Sequence, residues 1–377
     1  MACAPAPVEI PFEVVETSNY LCLGAAVSGA FCDANVAILD EQVEFVASFL
    51  DIPTPEQCIP TLWTEDPEDL AECGGKNSGG CYEGGIIRSG WTFLPHELVH
   101  AVGGRAGFDG PSFIREGLAE ALSGRAFRSN GLGAEEIIER GTKVGLSAGD
   151  YESVGHFTAW MIDYFGRELV VQLYSRLDRD VDKDEAIDVI EDTFGLPFSS
   201  LAAAYADALG TIYAGKGPFS CGATAAELSW DGNRTVEEVE FSCESGEDFR
   251  RLDLGQYAGY TEELWRPYRA DLSGGEYQFK FWRNELYAYA ILEACLTEDT
   301  EEEFLPTPPA PVLTSWGGLH PFGFFMWHEL PSAIIEPGGV ILDLPAGIYT
   351  LWVGWVKDPE PTIVVTTRQS FSIEQLN

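Results

Sequence analysis

Hydrophobic positions in the first half of the chain change from short apolar runs to a helical period. Residues 19–31 and 84–89 are apolar runs that favour β-strands. Between these runs, apolar residues recur at the spacing of one helix face, at Val36, Leu39, Val43, Val46 and Leu50. From Pro95 to about residue 213 the period is helical. After the first helix, the pattern predicts helices at 111–124, 135–143, 152–165, 167–177, 183–194 and 199–213.

After residue 215 the pattern changes to alternation of apolar and polar residues, separated by Gly, Pro and Asp turns. It predicts strands at 236–241, 276–282, 286–292, 340–344, 348–356 and 361–371. The whole pattern therefore predicts an α+β fold, in which a small sheet and a helical half are followed by an all-β sandwich. The expected segments are a flexible lead at 1–12, a first domain at 13–217 and a β-sandwich domain at 218–377.

The chain has five histidines, and two of them lie four residues apart in His96-Glu97-Leu98-Val99-His100. On a helix, residues i and i+4 share one face, so both imidazoles can bind one metal ion. Glu97 lies one position along, where it can accept a proton from a water on the metal. Pro95 suits the first helical position, and Gly103 with Gly104 predicts the end of a short helix.

A catalytic zinc site usually has three protein ligands and one position open to water. The extension HExxHxxGxxH is not present, because Ala106 stands where it requires a third histidine. This excludes a metzincin. A carboxylate from the next predicted helix is the alternative, and Glu116 and Glu120 lie four residues apart on one face. Spacing leaves the choice between them open, and Glu120 as an exposed helix carboxylate is a further alternative.

The stretch Arg115-Glu116-Gly117-Leu118-Ala119-Glu120, after the histidine motif, resembles the gluzincin metallopeptidases, which include thermolysin, zinc aminopeptidases and bacterial collagenases. The resemblance covers about residues 85–170. It implies a zincin-like catalytic domain that binds Zn²⁺ through His96, His100 and Glu116, with Glu120 orienting a ligating histidine. The sequence departs from thermolysin in spacing, since fewer residues separate His100 from Glu116.

A later segment, Tyr151 to Phe157, resembles the Tyr-x-x-x-Gly segment that follows the third ligand in several of these peptidases. Tyr151 or His156 could thereby donate a hydrogen bond to the oxyanion that forms during peptide hydrolysis. The alternatives are a helix-capping neighbourhood around Asp150 and a satisfied buried histidine at 156. Residues 344–350 resemble a late strand of the β-sandwich domains often appended to secreted bacterial peptidases.

The expected function is therefore zinc-dependent hydrolysis of a protein or peptide substrate by a secreted gluzincin-type peptidase, with Glu97 activating the water. Two alternatives stay open. One is a catalytically inactive peptidase-like scaffold, and the other is an adhesion or binding protein that acts through the C-terminal sandwich.

The net charge of the chain limits the classes of partner that it can bind. The chain carries 61 acidic and 22 basic residues, a net charge of −39. Nucleic-acid binding is excluded, because phosphate contacts need basic patches, and anionic membranes are disfavoured. A run of eighteen apolar residues does not occur in the sequence, so we expect no transmembrane segment.

The nine cysteines favour an oxidising compartment and a secreted or cell-surface protein. Cys73 and Cys81 bracket a glycine-rich hairpin, which predicts a disulfide. The other suggested pairs are Cys22–Cys32, Cys58–Cys221 and Cys243–Cys295. Cys3, followed by Ala-Pro-Ala-Pro, resembles the start of a processed bacterial lipoprotein and would carry a lipid anchor. An artificial start near a natural cleavage site is an equal alternative.

Overall fold

A computed structural model gives the architecture of the chain. It describes residues 10–25, 32–64, 70, 73, 80–90, 95–124, 129–143, 146–147, 149–211, 213, 215–218, 225–240, 249–255, 259–282, 288–294, 332–335, 340–357 and 368–376. Helices and two sheets occur together in these residues, which confirms the predicted α+β class. The predicted lead at 1–12 lies mostly outside them.

The first sheet has five strands: β1 (Glu16–Thr17), β2 (Leu21–Ala25), β3 (Ile59–Trp63), β4 (Gly80–Glu83) and β5 (Ile86–Ser89). Their order across the sheet is β1-β2-β3-β5-β4. The pairs β2–β3 and β3–β5 are parallel, whereas β1–β2 and β4–β5 are antiparallel. Leu21 and Leu23 alternate along β2 and are fully buried, so this strand contributes directly to the core.

Eight helices lie in the described part of the chain: α1 (Asp33–Leu50), α2 (Pro95–Arg105), α3 (Ser112–Ala121), α4 (Ala134–Thr142), α5 (Asp150–Phe165), α6 (Arg167–Arg176), α7 (Lys183–Phe194) and α8 (Phe198–Ala208). Most match the predicted segments, because buried residues recur at helical spacing along them. Two ends differ. Helix α2 continues past Gly103 to Arg105, and α8 ends at Ala208 instead of residue 213.

The second sheet contains β6 (Ala226–Glu227), β7 (Arg234–Glu240), β8 (Phe249–Gly255), β9 (Gly259–Trp282), β10 (Ala288–Ala294), β11 (Ser332–Ile335), β12 (Val340–Lys357) and β13 (Arg368–Gln375). All eight belong to one hydrogen-bonded sheet, in which β9 and β12 pair from Glu262–Lys357 to Phe279–Val340. The two strands predicted at 340–344 and 348–356 are thus one continuous strand. The arrangement as a sandwich and the domain boundary at 217 stay predictions.

Two disulfides are described, Cys22–Cys58 and Cys73–Cys81. The second confirms the predicted hairpin bridge, since Cys81 lies in β4. The first corrects the suggested pairs Cys22–Cys32 and Cys58–Cys221. Strands β2 and β3 are parallel neighbours, with Cys22 opposite Pro60, and this brings the Cys22 and Cys58 Cα atoms within 5.5 Å. Sequence patterns do not show which strands pair, and therefore the short distance between Cys22 and Cys58 could not be predicted.

Other cysteine predictions are tested only in part. Cys32 is also disulfide-bonded, so its bond is to a cysteine other than Cys22. Cys3, Cys221, Cys243 and Cys295 lie outside the described residues, as does the suggested Cys243–Cys295 pair. Disulfides of this kind are typical of an extracellular or otherwise oxidising environment. Among the helices of the described residues, we find none with the length and apolar character to cross a bilayer.

Candidate metal centre

Helices α2 and α3 bring the predicted ligands together. Pro95 begins α2, where its missing N–H costs no hydrogen bond. One side of α2 packs into the core through Leu98, Val99 and Val102, which are at most 4% exposed. Helical spacing puts His96 and His100 together on the face that looks towards α3. The core contacts of α2 therefore fix the direction of both imidazoles.

Three donor atoms meet between these helices. His96 Nε2 lies 3.1 Å from His100 Nε2, and Glu116 Oε2 lies 3.2 Å from the first and 3.0 Å from the second. In the described residues, these three side chains form the group whose geometry could hold a metal ion. Ligand atoms around a tetrahedral zinc, with bonds of about 2.0–2.1 Å, are separated by about 3.3 Å. The observed separations fit such a site.

Glu120 determines which atom of His96 faces this group. Its Oε1 lies 2.9 Å from His96 Nδ1, and the Glu120 side chain is buried. A carboxylate accepts a hydrogen bond, so His96 Nδ1 donates, and whenever the ring is neutral its Nε2 lone pair faces His100 and Glu116. A cation or a shared proton between these three atoms would relieve the repulsion of their lone pairs. The structure thus places Glu120 against the ring nitrogen of His96 that points away from His100 and Glu116.

The charges around the group reinforce this conclusion. Burial by itself lowers the pKa of His96, but hydrogen bonds with Glu116 and Glu120 and the charges of Glu120 and Glu97 outweigh it and raise that pKa to about 10. Burial raises the pKa of Glu116. The opposite effect of His100 and His96 is larger, so this pKa lies well below its usual range. Without a metal ion, a proton supplies the positive charge that the carboxylates require.

Glu97 and Tyr151 border the same group. Glu97 is 9% exposed, and its charge acts on both His96 and Tyr151. The Tyr151 ring, near the start of α5, lies 5.9 Å from the His96 ring between centroids. Burial, followed by the charges of Glu116, Glu97 and Glu120, raises the pKa of the Tyr151 phenol. A phenol that keeps its proton can donate a hydrogen bond at this position.

His156 is not part of the cluster, which corrects the expectation that it contacts a substrate oxyanion. It is fully buried, and its Nδ1 lies 2.8 Å from the Tyr205 hydroxyl while its Nε2 lies 3.0 Å from the Thr211 carbonyl oxygen. Both ring nitrogens are therefore occupied. Five positions along a helix correspond to a rotation of about 140° from Tyr151, so the two side chains lie on different faces of α5. His156 is the satisfied buried histidine of the alternative interpretation.

A glycine sets the distance between α3 and α5. A Cβ at Gly117 would lie 2.1 Å from Thr158 Oγ1 and 2.8 Å from the Val154 carbonyl oxygen. No other residue type fits there without displacing one helix from the other. Gly117 therefore lets α3, which carries Glu116, approach the helix that carries Tyr151.

One residue of the site was not predicted. Arg115 donates from Nε and Nη2 to Glu116 Oε1, at 3.0 and 2.9 Å. Its position beside Glu116 in the sequence gave no signal, because adjacent residues on a helix do not usually face each other.

Known proteins add little to this geometry. The chain matches no protein-family model and none of the curated proteins. Among solved structures, the enzymatically active domain of bacteriophage CBA120 tailspike protein 4 is similar to this chain. The match covers 39% of this chain and 18% of the tailspike chain. The sequence identity is 12% and the TM-score is 0.15. A similarity this low carries no argument about fold or function.

Proposed function

We propose that the chain is a zinc-dependent peptidase of the gluzincin type, secreted and acting on peptide bonds. The observation that supports this most is the convergence of His96 Nε2, His100 Nε2 and Glu116 Oε2 within 3.2 Å of one another. Two imidazoles and one carboxylate form the ligand set of zinc peptidases such as thermolysin. The disulfides agree with an extracytoplasmic location.

A zinc ion held by these residues would acidify a water molecule and polarise the carbonyl of the substrate. The protein's own groups then do three things. Glu97 accepts the proton of the attacking water and returns it to the departing amine. Tyr151, which keeps its phenolic proton, donates a hydrogen bond to the oxygen that becomes negatively charged. Glu120 holds His96 in the tautomer with its Nε2 lone pair free for the metal.

The function is tested by metal analysis of the full chain purified without added metal, combined with digestion of a peptide library. We expect about one zinc per chain and cleavage products. For Glu97→Gln we expect the same zinc content and hydrolysis that is about 10²–10⁴-fold slower, since the amide cannot accept the proton. Glu168→Gln is the matched control, because Glu168 is also a helix glutamate, its side chain is 77% exposed, and it pairs with Arg167.

Two outcomes would contradict the proposal. Cleavage by Glu97→Gln at the normal rate would remove the assigned base. A chain that binds zinc but leaves every peptide intact would favour the inactive scaffold, and binding of a protein or glycan by the full chain would then support the adhesion alternative.

A further inference from the structure

The two oxygens of the Glu116 carboxylate have different partners. Oε2 faces the imidazoles, at 3.0 Å from His100 Nε2 and 3.2 Å from His96 Nε2. Oε1 accepts two hydrogen bonds from Arg115, from Nε at 3.0 Å and from Nη2 at 2.9 Å. An ionised carboxylate oxygen offers about two lone-pair positions. Both positions of Oε1 are therefore taken by one guanidinium group.

This contact is not a by-product of helix geometry. Neighbouring helical residues point in directions about 100° apart, so the Arg115 side chain has to bend back towards Glu116. Asp109, which precedes α3, supports that bend, with its Oδ1 3.5 Å from Arg115 Nη1. The Arg115 side chain is 21% exposed and interacts electrostatically with buried Tyr174. The guanidinium thus lies between two carboxylates, in a partly buried position.

We propose that Arg115 is a positioning residue that keeps Glu116 a one-oxygen ligand, an inference that rests on the proposed zinc-dependent function. A carboxylate can bind a metal through one oxygen or through both. With Oε1 held by Arg115, Glu116 contributes Oε2 alone, and the protein supplies three donor atoms. A catalytic zinc needs this arrangement, because the remaining position must accept water and substrate.

Charge separates this role from a purely structural one. The Arg115 cation is adjacent to a ligand and repels a metal ion, so it does not strengthen metal binding by electrostatics. Removing the cation should therefore leave metal affinity unchanged or increase it. If Arg115 only supported the shape of α3, its loss would weaken metal binding instead.

The experiment compares the full chain with Arg115→Met, both loaded with Co²⁺ in place of zinc. Four-coordinate Co²⁺ absorbs visible light more strongly than Co²⁺ with five ligands. We expect weaker absorption in Arg115→Met, because Oε1 becomes free to bind. Metal affinity, measured by competition with a chelator, should be unchanged or higher, while kcat falls by about 10–100-fold, the usual cost of losing an outer partner.

Arg179→Met is the matched control. Arg179 Nη1 lies 3.9 Å from the other Asp109 oxygen, and its side chain is 63% exposed. Arg179→Met removes a cation from the same Asp109 carboxylate but leaves both Arg115 hydrogen bonds to Glu116 Oε1 in place. The cobalt spectrum and kcat should therefore stay unchanged. Thermal melting of all three proteins verifies that each is folded.

An unchanged cobalt spectrum in folded Arg115→Met would overturn the inference, as would a metal affinity weakened by more than about tenfold. Neither result would affect the proposed function. That function fails separately if the unmodified chain binds neither Co²⁺ nor zinc.

Discussion

Two histidine environments lie in the same group of helices, and they differ in almost every chemical property. His96 on α2 is surrounded by the carboxylates of Glu116 and Glu120, and its pKa is raised to about 10. His156 on α5 contacts a phenol and a backbone carbonyl, and burial lowers its pKa to about 4. His156 is fully buried and the His96 side chain is only 12% exposed, yet one favours a positive charge and the other excludes it.

The difference shows that burial alone does not make a histidine functional. Desolvation disfavours the imidazolium at both positions. At His96 the neighbouring carboxylates reverse that effect, and Glu116 belongs to the group that could hold a metal ion. At His156 the Thr211 carbonyl requires a proton on Nε2, so Nδ1 accepts from Tyr205 and the ring stays neutral. The partners of an imidazole, not its depth, decide its role.

The largest expected effect comes from making the same substitution in each environment. His100→Gln removes a donor atom from the candidate centre, and a carboxamide is a weak ligand for zinc. We expect metal affinity to fall by about a thousandfold or more, beyond the range seen for outer partners. His156→Gln should retain metal at the normal stoichiometry. Elemental analysis after dialysis against a chelator measures both. Equal metal content in the two variants would remove the distinction between the sites.

A second test uses the acid stability of the His156 environment. Its pKa is about 4 in the folded chain and 6.5 when unperturbed, so below pH 6.5 the unfolded state binds the proton more readily. The contribution is complete above pH 6.5 and is lost as the pH falls towards 4, in total about 3 kcal/mol. Tyr205 and Tyr213 face the ring, and burial raises the pKa of the Tyr205 phenol.

Other groups titrate in the same window, so the unmodified chain is compared with His156→Gln by denaturant unfolding between pH 7 and 4. The difference between the two free energies of unfolding should change by about 3 kcal/mol across this range. Parallel curves would show that His156 does not titrate differently on folding.

The smallest expected effect comes from making the two environments more alike. Glu120→Gln replaces the charged partner of His96 Nδ1 with a neutral one that still accepts a hydrogen bond. We expect metal affinity about 10–100-fold lower, because an outer partner of a ligating histidine is lost as an anion but retained as an acceptor. Chelator competition measures this. Glu168→Gln, on the exposed surface of a helix, is the control. If the two variants bound the metal with equal affinity, the charge of Glu120 would have no part in binding.

The two histidines of the candidate metal centre were predictable because helical spacing is a local property. His96 and His100 are four residues apart, so any helix through them presents both on one face. Pro95 and Pro111 marked the starts of α2 and α3 correctly, since each lies within one residue of the observed helix start. The resemblance favoured Glu116 over Glu120, and the structure agrees with that order: Glu116 faces both imidazoles, whereas Glu120 contacts the far nitrogen of His96.

What the sequence could not determine depended on contacts between distant segments. The Cys22–Cys58 bridge required the parallel pairing of β2 with β3, and the role of His156 depended on Tyr205 and Thr211, about fifty residues further along. Arg115, which contacts Glu116, also contacts Asp109 outside the helix. Local spacing therefore determined which residues could bind a metal. Tertiary packing alone decided the partner of each polar atom, because that depends on the distances between elements and not on their separate patterns.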